Sequence, residues 1–125
     1  MKSLQTSLVG IFLILAFATP FLAHHAISAE FDSTKSVTLN GTVNNVGWMN
    51  PHTYVFVNVK DPGLGNMRTW ACELPSPTEL VRRGFRKESL KVGMEVHLVG
   101  TRAKDGSFKI HTDTLAADNS ILFSK

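Results

Sequence analysis

Apolar and polar positions alternate along most of the chain after residue 35. Over 36–48 (SVTLNGTVNNVGW), Val37, Leu39, Val43 and Val46 are set among Thr and Asn, which predicts a strand with Gly41 as a bulge. Residues 53–60 (TYVFVNVK) alternate more strictly, with Tyr54, Phe56 and Asn58 on one face and Val55, Val57 and Val59 on the other. Asp61-Pro62-Gly63 marks a turn, since Pro presets φ and Gly permits a positive one. Met67 to Leu74 reads as the returning strand.

The period then changes. Ser76-Pro77-Thr78-Glu79 is a capping box: a Ser cap, Pro at the first helical position, and Glu three residues after the cap. Gly84 stops the helix after about two turns. Glu95 to Gly100 and Ser107 to Leu115 form two more strands around a Lys104-Asp105-Gly106 turn, and Ile121-Leu122-Phe123 adds a last short one. Strand, strand, strand, short helix, strand, strand predicts an all-β fold with one short helix. It is a small five- to six-stranded OB-like Greek-key barrel, preferred here over a two-sheet sandwich.

The first 23 residues have a different character. Lys2 gives a positive start, Leu8 to Ala18 is an unbroken apolar run, and Pro20 follows. The run is shorter than the ~20 residues that span a bilayer, and its layout is that of a secretory signal peptide. Cleavage after Ala23 is preferred, although Phe21 is bulky at the −3 position. Cleavage after Ala29 would discard His24 and His25. The expected organisation is a signal peptide over 1–23, an N-terminal segment over 24–35 and the barrel over 36–125. The expected location is the periplasm, with no membrane span once the leader is removed.

Removing the leader takes away one basic residue, Lys2, so 12 basic and 10 acidic side chains remain of the 13 and 10 in the full chain. That excess is too small to indicate a nucleic-acid partner. Arg82, Arg83, Arg86, Lys87 and Lys91 crowd the end of the helix, where they complement its dipole as a solvated face. Cys72 is the one cysteine, so no internal disulfide forms; within MRTWACEL it reads as a buried strand residue. There is no GxSxG, glycine-rich phosphate loop, HExxH or CxxC, and the chain is not read as an enzyme. It is expected to be a monomer.

The histidines are the most informative polar residues. Cleavage after Ala23 would bring a terminal amine and the imidazoles of His24 and His25 together, and His52 in the predicted loop could join them. Such nitrogen-rich sets suit Cu(II) or Ni(II), and His24, His25 and His52 form the candidate set for a copper-type ion. The competing reading leaves these residues solvated or bonded to a turn. His97 and His111 fall inside strands and read as ordinary strand residues. A second candidate is a stacking surface of Trp48, Asn50 and Tyr54 for a glycan, peptide or protein of the cell envelope. Against it, Trp48 would cap the core and Asn50-Pro51 would shape the turn.

Ala23-His24-His25, Val37-Thr38-Leu39-Asn40-Gly41-Thr42-Val43 and Trp48-Met49-Asn50-Pro51-His52 resemble the motifs of an uncharacterised family of small exported bacterial proteins, mostly Gram-negative. Ser76-Pro77, Leu80-Val81-Arg82-Arg83-Gly84, Leu90-Lys91-Val92-Gly93 and Arg102-Ala103-Lys104-Asp105-Gly106-Ser107 fit the same pattern. The resemblance implies export and an OB-like barrel. It implies no activity, and it draws attention to His24, His25 and His52. Phe21 departs from the family pattern, which often has a small residue there.

Overall fold

The computed structural model describes residues 26–125 except 62 and 64. Residues Phe31–Lys125 form one unit built of six strands: β1 (Phe31–Gly47), β2 (Thr53–Lys60), β3 (Met67–Leu74), β4 (Glu95–Ala103), β5 (Lys109–Ala117) and β6 (Ser120–Ser124). A short helix, α1 (Pro77–Arg82), and a 3₁₀ turn at Lys87–Ser89 lie between β3 and β4. Neighbouring strands run β3-β2-β1-β4-β5-β6, and β3 also pairs in parallel with β5. Five strands therefore close into a ring, with the helix between the third and fourth. This is the expected all-β, OB-like Greek-key barrel.

β6 fits where β3 leaves room. The free edge of β5 pairs with β3 near Lys109–His111 and with β6 near Thr114–Ala117. Asp118 and Asn119 make the two-residue β5–β6 turn, both with positive φ, as their short polar side chains permit.

β1 begins at Phe31, five residues before the start at 36 that the alternation suggests. Residues 31–36 carry too few apolar side chains to signal a strand, and their place is set by pairing with β4. Gly41 is not a bulge: the β1–β2 register shifts between Val43 and Asn45. Gly41 instead lies where β1 pairs with β2 and β4 together, and a Cβ there would collide with the Asn58 carbonyl. Glycine is needed for close approach of two backbones, a use that the sequence does not distinguish from a bulge.

The core is the barrel interior. Val55, Val57, Cys72, Leu74, Leu98, Ile110 and Leu115 are fully inaccessible. α1 is too short to hold together alone; Leu80, with no exposed surface, anchors it, and such burial contributes about 1.5–3 kcal/mol. The Ser76 hydroxyl accepts from the Glu79 N–H at 3.4 Å, while the Glu79 carboxylate pairs with Arg83 at 2.8 Å. Only half of the expected capping box is therefore made. Gly84 ends the helix at φ +86°, as the sequence predicts.

Candidate functional site

β3 points Trp70, Cys72 and Leu74 into the core, so Glu73 between them faces the other side of the sheet. It is nevertheless only 2% exposed. Tyr54 on β2 and His111 on β5 stand directly beside it, since Tyr54 pairs with Glu73 and Glu73 with His111. Lys109 and His52 lie two residues before them, on the same face by strand alternation. Register thus gathers four polar side chains, from β2, from β5 and from the residue just before β2, around the one carboxylate of β3.

Removing a carboxylate from water costs several kcal/mol unless charge and hydrogen bonds compensate. The compensation is divided between the two oxygens. Oε2 accepts the Tyr54 hydroxyl at 2.9 Å and lies 3.0 Å from the Lys109 ammonium. Oε1 lies 3.0 Å from His52 Nδ1 and 4.0 Å from His111 Nδ1. Lys109 also sits 5.3 Å from the ring centres of both Phe31 and Tyr54. The Phe31 ring, 5.4 Å from that of His111, closes the cluster from the start of β1.

These surroundings alter protonation. Burial, and then the bond to Glu73, raise the Tyr54 hydroxyl above its usual value of 10.0. Burial is also the largest influence on His111, followed by Lys125, and together they lower its imidazole below 6.5 despite the pull of Glu73 and Asp113. His111 Nδ1 is sequestered and has no hydrogen-bond partner. His111 lies within β5, as the sequence suggests, and its side chain also packs beside this cluster.

His52 differs from His111 because 43% of its side chain is exposed. An ionised carboxylate only accepts hydrogen bonds, so Nδ1 facing Oε1 carries the proton. In the neutral imidazole Nε2 would then keep its lone pair. A carboxylate that fixes the tautomer of a histidine in this way is the usual outer support of a metal-ligating imidazole. Among the described residues, no group of three or more His, Cys, Asp and Glu is arranged to hold a metal ion. His24 and His25, the other members of the expected set, lie outside the described residues, as does the expected signal peptide.

The Trp48, Asn50 and Tyr54 trio is distributed over different settings. Trp48 is half-buried, packs against the core and stacks on Phe85, ring centres 6.2 Å apart. Asn50 is exposed in the β1–β2 loop, and Tyr54 is tied to Glu73. Sequence reasoning missed Glu73, Lys109 and Phe31 as well as the role of His111. The available signal was a lone acid within the apolar end of a strand.

A recess of about 660 Å³ lies elsewhere, along β1, β4 and the β5–β6 turn. Its His97 Nδ1 is 2.6 Å from Asn40 Oδ1, a local pair in an open trough. The clustered chemistry is at Glu73. Cys72 adds none, because it faces the core, with burial pushing its thiol up to about 12.

Fold and site together define a small OB-like β-barrel protein with a polar cluster organised by one buried carboxylate. The chain belongs to the Family of unknown function (DUF6152), whose model matches residues 12–111. No curated protein and no solved structure matches it.

Proposed function

We propose that the protein is an exported binding module of the cell envelope that holds a Cu(II)-type ion through His52 and the histidines of its processed N-terminus, His24 and His25. The observation that carries this reading is the 3.0 Å contact from His52 Nδ1 to the buried Glu73 carboxylate. With Nδ1 engaged by the carboxylate, Nε2 of this half-exposed imidazole would be the nitrogen that serves as a ligand. The terminal amine and the adjacent imidazoles would complete a nitrogen-rich set suited to Cu(II). The positive start, apolar run and Pro20 of the first 23 residues support export.

The alternative, a glycan-, peptide- or protein-interaction module using Trp48 and its loop, has less support. Trp48 is engaged with Phe85 and Tyr54 with Glu73, which leaves Asn50 as the member of that trio facing solvent.

The test is Cu(II) titration of the processed protein, with its N-terminus established by sequencing. Uptake of ~1 ion per chain is expected, and Glu73→Gln should weaken it by about 10–100-fold, as loss of an outer-shell partner does. His52→Ala should weaken it at least as much. Absence of uptake, or uptake indifferent to His52→Ala, would overturn the proposal.

A further inference from the structure

A second cluster shares no residue with the Glu73 site. Trp70 points inward from β3 and is 7% exposed. Phe108, from the β4–β5 loop, meets it edge-on with ring centres 5.3 Å apart. Two guanidinium groups lie against these rings. Arg102 is 5.0 Å from the Trp70 ring centre and 5.7 Å from that of Phe108, and Arg68 is 4.9 Å from Phe108. The four side chains line a cleft of about 190 Å³, with the β1 residues Val37 and Leu39 among its other walls.

The charges of these half-buried arginines are not neutralised as that of the buried Glu73 is. Neither forms a salt bridge with a carboxylate among the described residues. Arg102 spends one N–H on the Gly106 carbonyl at 3.0 Å. The Nε–H of Arg68 is shut away from solvent with no acceptor among the described residues. Asp61 also lines the cleft, and its Oδ1 accepts the Gly63 N–H at 2.9 Å. Phe108 remains 39% exposed. A guanidinium held beside aromatic rings keeps its remaining N–H donors, and these match the planar fork of a carboxylate or the oxygens of a phosphate.

The geometry points to a binding site for an oxyanion carried on a single ring, either a phosphate or a carboxylate, held by Arg68 and Arg102 with the ring against Phe108. The volume sets the size. It is below the roughly 300–1,000 Å³ of sites that enclose drug-sized ligands, so one ring and its acidic group fill it. The ring lies on the aromatic side of the cleft while the anion faces the two cations. An acidic sugar and an aryl phosphate present the same combination.

The test is titration of the full mature protein with phenyl phosphate, glucuronate and inorganic phosphate, followed by NMR at the Trp70 indole N–H and the two arginine Nε–H groups. Saturable shifts are expected with at least one ring-bearing probe. Saturation by glucuronate identifies a sugar acid as the source, and saturation by phenyl phosphate alone identifies a phosphate ester. Arg102→Gln and Arg68→Gln should each weaken binding by about tenfold or more. Arg102→Lys, which keeps the charge and loses the fork, should weaken it too. Urea unfolding of each variant separates lost binding from lost structure. The inference is overturned by absence of saturable shifts up to about 10 mM probe. It is also overturned if inorganic phosphate binds as well as both ring-bearing probes, or if Arg102→Gln binds unchanged in a folded protein.

Discussion

Glu73 and Lys109 form a largely buried charge pair, Nζ to Oε2 at 3.0 Å, with side chains only 3% and 21% exposed. The pair spans the parallel contact of β3 with β5 that closes the barrel. Stability and site geometry are therefore linked at one carboxylate.

Removing that carboxylate should be costly. Glu73→Ala would take the buried carboxylate away from Lys109 and also remove acceptors from Tyr54 and His52. Breaking a buried pair from one side costs about 3–5 kcal/mol. In a domain of this size each kcal/mol shifts the melting temperature by ~4–8 °C, so a fall of about 12 °C or more is expected by thermal unfolding. Glu73→Gln keeps the shape and an acceptor oxygen, and should fall less. Equal melting temperatures for Glu73→Ala and the unaltered protein would show that the cluster contributes no net stability.

Acid should weaken the fold through His111. The folded chain holds this imidazole below 6.5, whereas the unfolded chain takes up a proton near that value. Below pH 6.5 the unfolded state therefore binds more protons. The contribution is complete above 6.5 and is lost as pH falls through the folded value. Urea midpoints measured from pH 7.5 down to about pH 5 should decline, and His111→Gln should flatten that decline. An unchanged slope in the variant would remove His111 as its source.

Close approach of backbones at Gly41 gives a third expectation. A methyl group there would strike the Asn58 carbonyl, which belongs to the β2 backbone and cannot swing aside. Gly41→Ala should lose about 1–3 kcal/mol in urea unfolding, as overpacked interiors do. Gly106→Ala is a useful contrast. No atom lies within 4 Å of its added Cβ, so its cost comes from φ +80° alone. That cost is roughly 1–2 kcal/mol.

Much of the fold is legible in the sequence because strand burial is periodic. Val55 and Val57 alternate with Tyr54 and Phe56, and both ends of β2 and β3 fall where that alternation begins and ends. The start of β1 is not legible, since its first residue, Phe31, is held by pairing with Ala103 of β4, and an irregular stretch separates it from the regular pairing that resumes at Ser36. The site is legible only in part. His52 and Tyr54 can be picked out from their loop and strand, but Glu73 looks like any outward-facing acid on a strand. Its burial arises from the β3–β5 pairing, which brings residues 73 and 111 together across 38 positions (111 minus 73). No local pattern encodes that distance.

The two readings of Trp48 lead to opposite mutational outcomes. As a core cap, its ring covers Phe85, which is 2% exposed and fully packed among the barrel residues. Trp48→Ala would open that contact to water. A wholly buried Trp or Phe cut to Ala loses about 3–5 kcal/mol, and a half-buried one about half as much. A urea midpoint lowered by that amount, with Trp48→Phe recovering most of it, is expected. A ring kept only for stacking on a ligand would instead leave the midpoint untouched in both variants. It would also leave Cu(II) uptake unchanged, whereas destabilising the loop that carries His52 should weaken uptake in proportion to the lost packing.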